Sequence, residues 1–245
     1  MGVNYQKELE RIIDGLHEGE RPALMLHSCC APCSSHCMAY LRDHFDVTVF
    51  YYNPNITREE EYRKRVEEEK RLIREYNAQV DAFRDRQDPQ PGDVMTFPGD
   101  LPVSEKTGKI DVIEGDYDRD SFWELAKGLE ECPEGGERCF RCYELRLRAT
   151  AREALRQGSD YFTTTLTISP LKNAEKLNEI GNRVGEELGV SFLPSDFKKK
   201  NGYKHSVELS ACYGLYRQDY CGCIYSEREA MLRREKNCGA DHPKS

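Results

Sequence analysis

Ala23-Leu24-Met25-Leu26-His27-Ser28-Cys29-Cys30-Ala31-Pro32-Cys33-Ser34-Ser35-His36-Cys37 places four cysteines within nine residues, directly behind a short apolar run. Ala23 to Leu26 has the length and apolarity of a buried strand, and Ser34 to Leu41 is able to form a helix. The thiols therefore fall in the turn that leaves a strand and opens a helix. In open α/β sheets that crevice is where ligands bind. A thiol at a helix N-terminus also faces free N–H groups and the positive end of the dipole, which favours thiolate. Pro32 removes an N–H and no glycine lies between Ser28 and Ser35, so the turn is poorly suited to cradle phosphate.

Working outward, residues 4–18 read as an amphipathic helix with Leu9, Ile12, Ile13 and Leu16 on one face. Asp46 to Tyr52 is a β-branched and aromatic strand that ends in the turn Asn53-Pro54-Asn55. Thr57 is expected to cap a charged helix to about Tyr76, followed by a short strand near Gln79 to Phe83. Residues 84–118 show no periodicity and read as a long insertion, a lid or an excursion from the core. A helix is expected from Asp120 to about Glu131, with Trp123 in the core. Another starts at Cys139-Phe140-Arg141-Cys142 and ends before Gly158. Tyr161 to Ile168 is a strand, Asn173 to Leu188 a helix, and Val190 to Leu193 a further strand. Strands alternating with helices predict one α/β domain over residues 1–245, a doubly wound parallel sheet with a helical, cysteine-bearing C-terminal part.

The 245-residue chain has no apolar run long enough for a spanning helix, and residues 1–20 are charged rather than signal-like. A cytoplasmic protein without a membrane partner is expected. In that compartment eleven cysteines point to metal binding or redox chemistry before a disulfide framework. The net charge of −8 argues against non-specific polyanion binding. Lys198, Lys199, Lys200, Lys204 and His205 nevertheless form one basic knot, and Arg138, Arg141, Arg146, Arg148 and Arg152 a second, so local RNA contact stays open.

Two C-x-x-C units complete a tetrahedral sulfur site, and Cys30/Cys33 and Cys139/Cys142 are such units, with Cys29 as a variant. Spacing alone serves a structural zinc and an iron–sulfur cluster equally. The Cys29-Cys30 adjacency is unusual for a zinc knuckle. Cys221-Gly222-Cys223 closes a small strained ring when oxidised, and strained disulfides are the labile ones. That pair reads as redox-active or as extra metal ligands. Cys37, Cys132, Cys212 and Cys238 read as ordinary thiols.

Six blocks in order carry a resemblance: Leu26 to Ser35; Tyr52 to Ile56 with Glu61, Tyr62 and Arg65; Gly136 to Cys142; Thr163 to Pro170; Asp196 to Lys199; and Tyr216 to Cys223. Together they resemble the epoxyqueuosine reductase QueH family. The resemblance implies a Rossmann-like sheet of the adenine-nucleotide α-hydrolase-like kind. It implies the last step of queuosine synthesis, a cobalamin-independent, two-electron reduction of epoxyqueuosine in the tRNA anticodon wobble position, with electrons from an unidentified donor. It also implies a [4Fe-4S] cluster held by Cys29, Cys30, Cys139 and Cys142, an adjacent mononuclear iron in part of the family, and Cys221 and Cys223 as the redox pair. Cys33, His27 and Asp196 are placed to ligate a second metal. Asp196, Tyr220 and His205 are expected as proton donors, Lys198, Lys199, Lys200 and Lys204 as anticodon-backbone contacts, and Tyr203 and Tyr216 as stacking platforms. The competing readings are a zinc-stabilised RNA-binding module and a thiol redox switch.

Overall fold

The apolar run from Ala23 becomes the central strand of a five-stranded parallel sheet. The computed structural model describes residues 2–88 and 90–240, with side chains to residue 236. In chain order the strands are β1 (Ala23–Ser28), β2 (Asp46–Tyr51), β3 (Val94–Phe97), β4 (Leu101–Ser104), β5 (Asp111–Glu114), β6 (Tyr161–Thr164) and β7 (Ser191–Phe192). The parallel sheet runs β5-β2-β1-β6-β7, and β3 and β4 pair as a separate antiparallel hairpin. The helices are α1 (Tyr5–Asp14), α2 (Ala31–Leu41), α3 (Glu59–Arg84), α4 (Arg119–Ala126), α5 (Glu137–Gln157), α6 (Ala174–Leu188), α7 (Gly202–Cys212) and α8 (Ile224–Ala240).

Side chains alternate across β1 with period two. Leu24 and Leu26 join Val47 and Val49 in one core with Leu9 of α1, Leu41 of α2, Leu72 of α3 and Leu209 of α7. Met25 and Phe50 point the other way, into a core with Leu147 and Ala151 of α5 and Leu177 and Val184 of α6. A strand buried on both faces must be apolar throughout, which is why this run is so plain in the sequence. Asn173 caps α6 by accepting from the Lys176 N–H at 2.9 Å, and Gly189 ends it in the left-handed region, φ 79°. Because β2 lies on one side of β1 and β6 on the other, the strand order reverses there. The C-terminal ends of β1 and β6 therefore frame a crevice.

Several expectations need correction. The segment Gln79 to Phe83 is not a strand: α3 continues through it for 26 residues and is preceded by Arg58 rather than capped by Thr57. Val80 and Phe83 extend the helix's buried face to meet Met95, Phe97 and Val103 of the hairpin. Within 84–118, Asp111–Glu114 returns as the edge strand of the main sheet, paired with β2. Trp123 is 38% exposed; α4 buries Phe122 instead, and the indole packs edge-on against Phe122 and Tyr225. The strand read over Tyr161 to Ile168 ends at Thr164 and tightens into a 3-10 turn, Thr165–Ile168.

Candidate functional site

The cysteine turn is built by the end of β1 and the first turn of α2. Cys30 is the N-cap, in extended backbone conformation. Its carbonyl accepts from the N–H groups of Cys33 at 3.1 Å and Ser34 at 3.0 Å. That turn folds Cys33 back over Cys30, while Pro32 sits in the first turn, where a missing N–H costs nothing. The sulfurs of Cys29, Cys30 and Cys33 lie within 4.8 Å of one another, with Cys29 and Cys30 3.8 Å apart. From the end of β6, the Thr165 hydroxyl donates to Cys29 Sγ at 3.7 Å. Hydrogen bonds from Cys29 and Cys33, with the Arg65 guanidinium nearby, hold the Cys30 thiol well below its ordinary value. Giving its hydrogen bond to Cys30 pushes Cys29 up to about 11, and the same interactions push Cys33 up.

These thiols face a cavity of about 360 Å3 that is also lined by Arg65, Lys172, Tyr203, Tyr220 and Cys221. Cys139 and Cys142 do not join that group. They line a smaller neighbouring pocket with Cys221 and Cys223, and the two spaces share Glu134, Lys172 and Cys221. Burial raises Cys142 to about 12 and also raises Cys139 and Cys223. The free sulfhydryl form of these three thiols is therefore favoured when nothing binds there.

Buried cations surround both spaces. Arg65, Arg138 and Arg146 are no more than 2% exposed, and Lys172 is 9%. Arg65 pairs with Glu61 at 2.6 Å and Lys172 with Glu134 at 3.3 Å. Arg138 donates to the carbonyls of Leu129 and Glu130, and Arg146 Nε to the Cys142 carbonyl at 3.2 Å. Among the described residues neither Arg138 nor Arg146 meets a carboxylate. Among those residues Arg138 Nε and Arg146 Nη2 also have no hydrogen-bond partner. A buried charge needs a counter-charge, and the groups facing Arg146 are the sulfurs of Cys142, Cys221 and Cys29. Such a donor set fits a thiolate-held metal group carrying net negative charge.

Other expected site residues sit elsewhere. His27 is fully buried, and both ring nitrogens are engaged: Nε2 lies 3.1 Å from the Tyr52 carbonyl and Nδ1 2.9 Å from Thr164 Oγ1. The carbonyl only accepts, so Nε2 carries the proton and the threonine hydroxyl donates to Nδ1. Burial lowers the ring to about 3, leaving a neutral structural histidine with no nitrogen free for a metal. Asp196 pairs with Lys198 at 2.7 Å and lines neither thiol space. Lys200 pairs with Glu10 at 2.6 Å, Lys204 reaches Glu208 at 3.6 Å, and Lys199 lines a separate cavity with His36. His205 faces His36, Nδ1 to Nδ1 at 3.0 Å, away from the thiols. Of the three expected acids only Tyr220 lines the thiol cavity. Tyr203 lines it too, whereas the Tyr216 hydroxyl is bonded to Glu61. Arg138 and Arg146, read as part of a basic surface knot, are interior groups. Cys37 is buried and Cys212 exposed; the Cys238 side chain lies outside the described residues.

Sequence reasoning passed over Lys172 and Glu134, and gave Arg65 no role. Arg65 and Glu69 fall on the buried Tyr62–Val66–Ile73 stripe of α3, and charged residues on an apolar stripe were the available signal.

The family model described as "Epoxyqueuosine reductase QueH" matches residues 24–90 and 100–229. Three curated proteins of that name are similar along most of their length. The one from Staphylococcus epidermidis is 38% identical over 228 residues, covering 91% of this chain and 84% of the relative. That from Streptococcus pyogenes serotype M1 is 37% identical, covering 92% and 79%. That from Thermotoga maritima is 32% identical over 217 residues, covering 87% and 93%.

Proposed function

Because the chain belongs to the epoxyqueuosine reductase QueH family, we propose that it reduces epoxyqueuosine to queuosine in the wobble position of a tRNA anticodon. The observation that carries this reading is the three-thiol group of Cys29, Cys30 and Cys33, facing a cavity walled by buried cations. No helix among the described residues is long and apolar enough to cross a membrane.

The residues fit an iron–sulfur group. Cys29, Cys30 and Cys33 supply one face, Cys139 and Cys142 line the adjoining pocket, and Arg65, Arg138, Arg146 and Lys172 offset thiolate charge. When bound, a cluster or neighbouring iron supplies electrons singly and Lewis acidity toward an epoxide oxygen.

Removing that oxygen as water and leaving an alkene takes two electrons and two protons. The Cys221/Cys223 dithiol carries both pairs: its oxidation to a disulfide releases two electrons and two protons, and an external reductant restores it. Cys221 borders the large cavity and Cys223 only the inner pocket, so one thiol of the pair meets substrate. Tyr220 stands beside Cys221 in the cavity wall with its phenol raised above the ordinary value by burial, and so holds a proton for the departing oxygen. The apolar wall of Pro32, Leu166 and Ile168 keeps water from the epoxide. Tyr203, 39% exposed at the same cavity, offers a face to the splayed base. Lys198, Lys199, Lys200 and Lys204 serve the anticodon backbone, with Lys199 the one that has no carboxylate partner among the described residues.

The test is anaerobic purification with iron and acid-labile sulfide analysis, then incubation with reductant and tRNA carrying epoxyqueuosine. Nucleoside mass spectrometry should show loss of one oxygen atom. Iron and sulfide with no conversion would refute the substrate assignment. Zinc without sulfide would instead support a zinc-stabilised RNA-binding module.

A further inference from the structure

α3 reaches across the molecule to hold the segment that precedes α8. Tyr216 N donates to Glu68 at 2.8 Å, and the Tyr216 hydroxyl to Glu61 at 3.1 Å. Arg65 completes the series. Its Nε donates to Glu61 Oε1 at 2.7 Å and its Nη1 to the Cys221 carbonyl at 3.1 Å. Its guanidinium also lies 5.2 Å from the centre of the Tyr220 ring. Asn55 Nδ2 reaches the same carbonyl at 3.4 Å, and Thr57 N the Gly222 carbonyl at 3.1 Å. Of these ties to Cys221 and Gly222, only Arg65 also lines the cavity that holds Cys29, Cys30 and Cys33.

The fit is close. Gly222 has φ 119°, and a Cβ there would stand 2.8 Å from Ile56 Cγ1 and 3.3 Å from Arg65 Nη1. Glycine lets the loop press against the guanidinium. A planar fork can hold a carboxylate with one edge and a carbonyl with another; an ammonium can supply the charge but not that geometry.

We propose that Arg65 is a positioning residue: its fork, anchored by Glu61, fixes the Cys221 backbone so that Cys221 shares a cavity with the Cys29–Cys30–Cys33 group. The inference rests on the functional reading above for its catalytic consequence, but its structural content is independent of the substrate. Glu61, Arg65 and Tyr220 act as one unit, with the carboxylate orienting the guanidinium and the guanidinium orienting the loop.

The decisive comparison is alkylation of metal-free, fully reduced protein by iodoacetamide under anaerobic conditions, with labelling at Cys221 followed by peptide mass spectrometry. Arg65→Lys keeps the charge and loses the fork, Arg65→Gln loses both, and Glu61→Gln removes the anchor. Cys221 labelling should accelerate about tenfold in both Arg65 variants, the scale of losing one charge-assisted hydrogen bond. It should rise by a smaller factor in Glu61→Gln. In iron-loaded protein kcat should fall by about the same tenfold while KM for tRNA stays within about twofold. Should Arg65→Gln fail to fold, Arg65→Lys and Glu61→Gln still decide the matter. Wild-type labelling and kcat in Arg65→Lys would overturn the proposal, because charge alone would then suffice. An inactive wild type would count against the substrate assignment and leave the labelling comparison to judge Arg65.

Discussion

Replacing Glu69 with glutamine isolates a single buried carboxyl beneath the thiol turn. Glu69 is 1% exposed, and the Ser34 hydroxyl lies 2.6 and 2.7 Å from its two oxygens. One hydroxyl proton cannot satisfy both, and no Lys or Arg forms an ion pair with it among the described residues. Burial therefore raises the acid from its ordinary 4.5 to about 7, with the Ser34 and Ser28 hydroxyls acting in the opposite direction. That gap corresponds to about 3 kcal/mol. Over this range the folded state binds more protons than the unfolded state. The contribution to stability is thus fully present below pH 4.5 and is lost as pH rises through about 7. Glutamine keeps an acceptor for Ser34 and cannot ionise. Urea unfolding of metal-free, reduced protein, followed by circular dichroism across this range, compares the two chains with every other titrating group held in common. The stability of Glu69→Gln relative to wild type should climb by about 3 kcal/mol between pH 4.5 and pH 8. Parallel curves would refute the assignment of an unpaired, neutral carboxyl.

Cys30→Ala should abolish iron retention while leaving the far-ultraviolet circular dichroism unchanged, because the strand and helix it joins are held by their own cores. If Cys139→Ala keeps both iron and conversion of the substrate, Cys139 is not a ligand. Gly181 packs against Phe192, and a Cβ there would lie 2.5 Å from the ring; Gly181→Ala should lower stability by about 1–3 kcal/mol in denaturant titrations. Lys199→Ala with Lys204→Ala should weaken tRNA binding and flatten its dependence on log salt concentration by about 1–2. An unchanged slope would remove these lysines from the RNA surface.

How much of this was legible depended on which face of each element carried the information. β1 and β2 were plain because burial on both sides demands unbroken apolar runs, and the thiol turn follows directly from where β1 stops. The end of α3 is hidden in the sequence because Val80 and Phe83 also suit a short strand. They continue the helical spacing from Tyr76, and only the hairpin they cover explains why the apolar face runs so far. β5 has four residues, Asp111–Glu114, too short to stand out from a loop. At the site, the cysteine units could be found by spacing, but their grouping could not. Cys33 joins Cys29 and Cys30 because one helical turn folds it back, whereas Cys139 and Cys142 open a different helix and meet Cys221 and Cys223. Arg138 and Arg146 read as surface charge because a sequence shows a guanidinium's sign and not its depth. They lie on the buried side of α5 with Cys142, Tyr143 and Leu147.

Those two arginines have a consequence for where the protein is least stable. Until something negative settles among the sulfurs, Arg138 and Arg146 are interior cations that meet carbonyls, aromatic faces and sulfurs and form no ion pair among the described residues. The start of α5 and the start of α8 cover that pocket with Arg138, Cys142 and Cys223, and because an uncompensated buried charge is destabilising this is the region expected to open first in metal-free protein. A negatively charged group held by those sulfurs would then raise the stability of the starts of α5 and α8 by mass action, readable as slower proteolysis there once it is bound.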